Sequence, residues 1–173
     1  MPFHPSWPEI ALRLAVTVLA GGILGANRVQ RGHATGIRTT ILVGLAACVA
    51  MIQANSLLAT HGNAPDSFVR MDVMRLALGI LTGVGFIGAG AILRKGPILT
   101  GVTTAATMWM TTAIGLAIGG GQVILGVVAT TISAATLWSL KPIDNRIPRE
   151  RHGTLTLRFQ ADEAVALDLN DMI

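Results

Sequence analysis

Residues 72–95 read DVMRLALGILTGVGFIGAGAILRK, and this stretch decides the fold. Asp72 and Arg75 stand at its start, Arg94 and Lys95 at its finish, and the 18 residues 76–93 between them carry no charge. A helix crosses a bilayer with about 20 mostly apolar residues, so the stretch is long enough to span. Its glycines fall at 79, 83, 85, 88 and 90. At about 100° per helical residue, Gly79, Gly83 and Gly90 share one face, and Gly85 and Gly88 lie on another. Small residues let membrane helices approach closely. Two small faces therefore predict the central helix of a compact bundle, held between two neighbours. Asp72 projects onto the first glycine face with Arg75 near it, which predicts both on the packed side.

Gly83-Val-Gly85-Phe-Ile-Gly88 also matches GxGxxG, the dinucleotide fingerprint. That motif needs a strand before it, a helix after it and an acid about 20 residues further on. Here the apolar helical pattern begins before the first glycine, and the position where the acid belongs is Met108. The glycines are read as helix-packing residues.

Outward from this stretch the composition is consistent with a membrane protein. The 173 residues are 51% hydrophobic and 13% charged, with no tyrosine, and several long apolar runs. That places the chain among multi-span membrane proteins. The net charge of +4 does not mark a nucleic-acid binder, because the basic residues gather in the loops between apolar segments. The lone cysteine, Cys48, sits inside an apolar run and reads as a small buried side chain. The start, MPFHPSWPE, lacks the basic region of a cleavable signal, and the apolar run after it continues as a span.

The expected fold class is an all-α membrane protein, a bundle of five transmembrane helices. The spans cover about residues 7–26, 39–59, 73–93, 101–119 and 122–140. In the first, Pro8 suits an opening helical turn, Trp7 suits an interface, and Glu9 and Arg13 are four apart and can pair. Gly21 and Gly25 form a small-xxx-small step. In the fourth, Thr103, Thr104, Thr107 and Thr111 share one face; such hydroxyls bond back to their own helix or to a neighbour. The run from Gly119 to Gly121 makes a tight turn before the fifth.

The loops set the orientation. Arg28, Arg31 and Arg38 follow the first span, Arg94 and Lys95 follow the third, and Lys141, Arg146, Arg149, Arg151 and Arg158 follow the fifth. The positive-inside rule puts these in the cytoplasm. Five spans alternate consistently, with the N-terminus outside and the C-terminus in the cytoplasm. In the tail, 141–173, residues 154–159 alternate polar and apolar like a strand, and a short helical pattern follows. It reads as a short αβ stub at the C-terminus.

No catalytic set, cofactor motif or metal-ligand spacing is visible. His4, His33, His61 and His152 scatter over loops and termini. Asp72 could help hold a cation between helices, although one carboxylate alone makes a poor magnesium site; the bland role is an N-cap paired with Arg75. The basic set Arg28, Arg31, Arg38, Arg94 and Lys95 suits anionic lipid headgroups or a docking surface for a partner protein.

Three blocks resemble the MgtC/SapB family of bacterial inner-membrane proteins over roughly residues 9–140. The first is GGILGANRVQRGHATGIRTTILVGLAA, with Gly36-Ile37-Arg38-Thr39 matching the family's Gly-Leu-Arg-Thr element. The second is the opening stretch, where Asp72 and Arg75 match an Asp-x-x-Arg start, and Gly83, Gly85, Gly88 and Gly90 match the glycine core. The third is GVTTAATMWMTTAIGLAIGGG, similar to the family's Thr-Ala-Ala-Thr-Leu-Trp helix through Thr103, Thr104 and Thr107. Asn27-Arg28 stands where the family has Glu-Arg, and Met110 where it has cysteine. Longer members carry a ferredoxin-like cytoplasmic domain, of which this chain has only an apparent first strand and helix. The resemblance implies a non-enzymatic membrane factor linked to growth under magnesium limitation and survival inside host phagocytes. Some members act by restraining the ATP synthase or altering phosphate or cation balance. The implied partners are the lipid bilayer and a membrane complex such as the ATP synthase or a transporter; the two glycine faces would also allow a homodimer. The alternative is a cation transporter or channel using Asp72.

Overall fold

The computed structural model describes residues 5–29, 36–61, 72–95 and 98–140. Five helices follow in order: α1 Trp7–Val29, α2 Ile37–His61, α3 Val73–Gly90, α4 Val102–Gly119 and α5 Val123–Ser139. A short antiparallel hairpin, β1 Leu93–Lys95 and β2 Ile98–Thr100, joins α3 to α4. Arg31 and the tail, with its expected αβ stub, lie outside the described residues. Three helices, α1, α2 and α4, are long and apolar enough to cross a membrane; the apolar lengths of α3 and α5, Met74–Gly90 and Val123–Ser139, are shorter. Large apolar side chains cover the outside: Leu19, Leu42, Phe86, Ile124 and Ile132 are each more than half exposed. Such an apolar exterior marks a surface that meets lipid or protein rather than water.

The third helix ends sooner than the expected span of 73–93. Residues 88–90 are Gly-Ala-Gly, and glycine weakens a helix interior by about 1 kcal/mol relative to alanine. Leu93–Lys95 instead pairs with Ile98–Thr100 in register Leu93↔Thr100. The pairing satisfies backbone groups that a helix end would leave open. Gly101 then enters α4 with φ +90°, and a Cβ there would run into the Ala91 carbonyl. Only glycine fits this reversal.

The centre of the bundle is α4, not α3. Helix α4 packs against α1, α2, α3 and α5. It buries Thr104, Thr107, Met108, Thr111, Thr112, Ile114, Gly115, Leu116, Ile118 and Gly119, the larger part of its length. The reason lies in its own glycines. A Cβ on Gly115 would strike the Gly44 carbonyl of α2, and one on Gly119 the Cys48 carbonyl, so α2 lies directly on this stripe. On another side, Gly126 of α5 makes room for Ile118. The expected Gly21–Gly25 step does bring α1 onto α2, against the backbones of Ile41 and Ile37. The main core joins Ala20 and Leu24 of α1, Cys48 and Ile52 of α2, Ile114 and Ile118 of α4, and Ala134 of α5. Helix α3 attaches through a smaller cluster of Ala47, Ala77 and Leu116.

Candidate functional site

Along α1, Glu9 and Arg13 stand one turn apart, the spacing at which oppositely charged side chains meet. They form the expected pair, Arg13 Nη2 donating to Glu9 Oε1. The pair also reaches across the bundle. A helix leaves its last carbonyls without intrahelical partners and carries partial negative charge there. At the end of α4 the Gly119 carbonyl accepts from Arg13 Nη1 at 2.7 Å. In the sharp turn at Gly120 and Gly121, with Gly121 at φ +90°, the amides of Gly120, Gly121 and Gln122 donate to the Leu116, Ile118 and Ala117 carbonyls, and the Gly119 carbonyl takes the guanidinium instead. Arg13 is buried, 4% exposed, and its Nε meets no acceptor among the described residues.

Polar groups continue inward from this pair. Thr17 donates to the Arg13 carbonyl at 2.8 Å and is fully buried. The Thr17 and Thr111 methyls flank Gly44, so α1, α2 and α4 meet at one small residue. This network clamps α1 to the end of α4 through a charge-assisted hydrogen bond. Sequence reasoning found the pair and missed the carbonyl. A basic residue inside an apolar span, together with a glycine run closing another span, was the available signal.

Asp72 and Arg75 sit elsewhere. Their side chains are 53% and 86% exposed, against the expectation of a packed position. Asp72 Oδ1 caps α3 by accepting from the Met74 amide at 3.0 Å, and its Oδ2 faces Arg75 Nε at 3.4 Å. Both residues turn outward because the helix face they share has no neighbour. Of the α3 glycines, only Gly88 packs, with Ala105 of α4 in the place where a Cβ would go. Gly79, Gly83, Gly85 and Gly90 have nothing within 4 Å of an added Cβ. The grip on two faces is therefore absent within the described chain, because α4 has taken the central place.

The threonine face of α4 behaves as its chemistry dictates. Thr107 donates to the Thr103 carbonyl at 2.7 Å, Thr111 to Thr107 at 2.8 Å and Thr112 to Met108 at 2.9 Å. Thr104 and Thr107 are buried, whereas Thr103 is exposed and borders a groove of about 290 Å³ between α1, α4 and α5. Gly36 stands just before α2, and its carbonyl accepts from the Thr40 amide and hydroxyl. Arg38 is exposed in the first turn of α2, and Arg28 belongs to the last turn of α1. The structure thus separates the candidate residues into three places: the α1–α2 end, α3, where all but Gly88 are exposed, and the threonine face of α4. Among the described residues no group of three or more His, Cys, Asp or Glu could hold a metal ion.

A family model described as the MgtC family matches residues 14–146. The chain is 36% identical over 153 residues to a protein of Escherichia coli (strain K12) named "Putative magnesium transporter YhiD", covering 86% of this chain and 69% of that protein. It is 37% identical over 120 residues to Protein SapB of Bacillus subtilis (strain 168), covering 67% of this chain and 51% of SapB. It is 37% identical over 121 residues to Protein MgtC of Salmonella typhimurium (strain LT2), covering 70% of this chain and 48% of MgtC. The chain matches about half the length of these last two relatives. No solved structure matches it.

Proposed function

The chain belongs to the MgtC family, and from that premise we propose that it is a multi-pass regulator of the bacterial inner membrane. In this reading it spans the bilayer five times, with the N-terminus outside and the C-terminus in the cytoplasm. It is not an enzyme. It adapts the cell to scarce magnesium, and supports survival inside a host, by docking on another membrane complex, such as the ATP synthase or a transporter. The tail is the opening strand and helix of an αβ unit on the cytoplasmic side.

The observation that carries this reading is the free face of α3. Gly79, Gly83 and Gly90 share it and have nothing within 4 Å of an added Cβ, and Phe86 beside them is 84% exposed. In lipid, small residues admit a neighbouring helix to close packing. A second copy of the chain could take the same place. The shorter helices fit the five-span reading, since 17 residues make about 25 Å of helix and spans run down to about 17 residues.

The second reading is a magnesium transporter, favoured by the printed name of the E. coli relative. Against it stand two features. The buried cation is already paired with Glu9 and the Gly119 carbonyl, and Asp72 lies outside the packed bundle. The test is magnesium flux into liposomes holding the purified protein, beside Asp72→Asn. The expected result is no flux above empty liposomes with either protein. Flux in the wild type that disappears in Asp72→Asn would replace the regulator with a transporter.

A further inference from the structure

Helix α3 leans on the bundle with one side only. Ala77, Val84 and Gly88 are buried and cluster on one side of the helix at about 100° per residue. The side turned away from them carries Asp72, Arg75, Gly79, Gly83, Phe86 and Gly90, all exposed. The relief of this side is its own complement. The Phe86 ring, 84% exposed, projects between hollows at Gly83 and Gly90, about one turn away in either direction. A knob flanked by holes is the pattern that a second copy of the same helix fills. Thr82, at the edge, donates to the Leu78 carbonyl at 2.8 Å and so asks for no polar partner.

Charge points to the same occupant. Asp72 and Arg75 open this side with one charge of each sign, and their side chains are 53% and 86% exposed. Their mutual contact runs through Arg75 Nε at 3.4 Å, one of five donors on a guanidinium. Two copies inserted the same way in one bilayer hold their α3 helices parallel, so a two-fold axis through this side sets like levels together. Asp72 of each copy then lies beside Arg75 of the other. An unlike partner would have to bring a matching pair at this level, whereas a second copy has one by construction. We propose that this side of α3 is the contact of a parallel homodimer, with Gly79 and Gly83 at the crossing and Asp72 beside Arg75 across the axis. The inference rests on the reading of the free face as a docking surface and names its occupant; the pair is then the unit that meets another complex.

The experiment oxidises the full chain in its native membrane with copper phenanthroline, in a Cys48→Ala background. Leu76→Cys, beside Arg75 on the free side, is expected to give a disulfide-linked dimer. Leu78→Cys and Ile124→Cys, 62% and 81% exposed elsewhere, are expected to give none. Adding Gly83→Ile is expected to remove the crosslink through Leu76→Cys. Charge is read separately, by pull-down between two differently tagged copies. Asp72→Arg and Arg75→Asp are each expected to weaken self-association about fivefold, as exposed ion pairs allow. Mixed together, the two variants are expected to recover it. A lost helix cap is not recovered by mixing, so recovery marks a contact between copies. Wild-type association that neither charge variant changes, or crosslinking no stronger through Leu76→Cys than through Leu78→Cys, would overturn the homodimer. Phe86→benzoylphenylalanine then separates the two levels of failure. Photo-crosslinks to a different membrane protein would keep the docking surface and replace its occupant, and photo-crosslinks to lipid alone would overturn the docking surface as well.

Discussion

Glu9 and Arg13 are unequal partners, because the guanidinium side chain is 5% exposed and the carboxylate 35%. Removing one member of a buried pair is costly chiefly through the charge it leaves behind. Glu9→Ala strands a buried cation and is expected to cost on the order of 3 kcal/mol. Arg13→Met keeps an apolar stem, lets Glu9 turn to water and leaves one carbonyl without its donor, at about 1 kcal/mol. Thermal unfolding in detergent, followed by circular dichroism, reads the order; equal losses would mean that Glu9 is not what holds the guanidinium. At Asp72 the exposed pair with Arg75 contributes little, and the cap is the larger effect. Asp72→Ala is expected to lower stability by about 1 kcal/mol, while Asp72→Asn, which caps as well, stays near wild type. The same unfolding measurement checks this. It also makes Asp72→Asn a fair probe in the flux test, since a folding defect would not confuse it.

Glycines divide the helices into two kinds. Those of α4 hold the bundle together, and most of those of α3 do not. A side chain at Gly115 or Gly119 meets α2 backbone, which cannot move aside as a flexible side chain can. Gly115→Val and Gly119→Val are expected to cost about 3 kcal/mol or more through forced separation of α2 and α4. At Gly79 and Gly83 the added methyl meets nothing. Alanine there is expected to be neutral or to stabilise by up to about 1 kcal/mol through helix propensity. If α3 docks on a partner, Gly79→Ile and Gly83→Ile should weaken crosslinking to it while unfolding stays near wild type. Loss of stability in these two variants would show that α3 packs inside the chain after all.

For the molecule as a whole, the contacts agree on an alternating arrangement of the helices they join. Arg13, early in α1, meets the end of α4, and Gly25, late in α1, meets the start of α2. The end of α1 and the starts of α2 and α4 then fall at the same end of the bundle. An orientation follows from the positive-inside rule, and single cysteines in a Cys48→Ala background test it. Gln122, exposed in the turn between α4 and α5, is expected to accept an impermeant maleimide in intact spheroplasts when changed to cysteine. Arg38→Cys is expected to label only after permeabilisation. The reverse pattern would place the basic loops outside.

Sequence alone was enough to place the five helices of the described residues, close to where most of them start and stop, and to mark the chain as a membrane protein. These follow from local facts: apolar run length, glycine turns such as 119–121, and loop charge. The spans expected at 101–119 and 122–140 lie within a residue or two of α4 and α5. The family was legible too, because its motifs are short and local. Which helix stands in the middle was decided by the tertiary structure alone. Glycine permits close approach but does not compel it, and both α3 and α4 carry glycine stripes. In lipid no hydrophobic penalty marks an unpartnered face, since acyl tails are as apolar as leucine. The choice therefore fell to shape across the chain: Gly115 and Gly119 fit the α2 backbone at Gly44 and Cys48, and Arg13 found the end of α4.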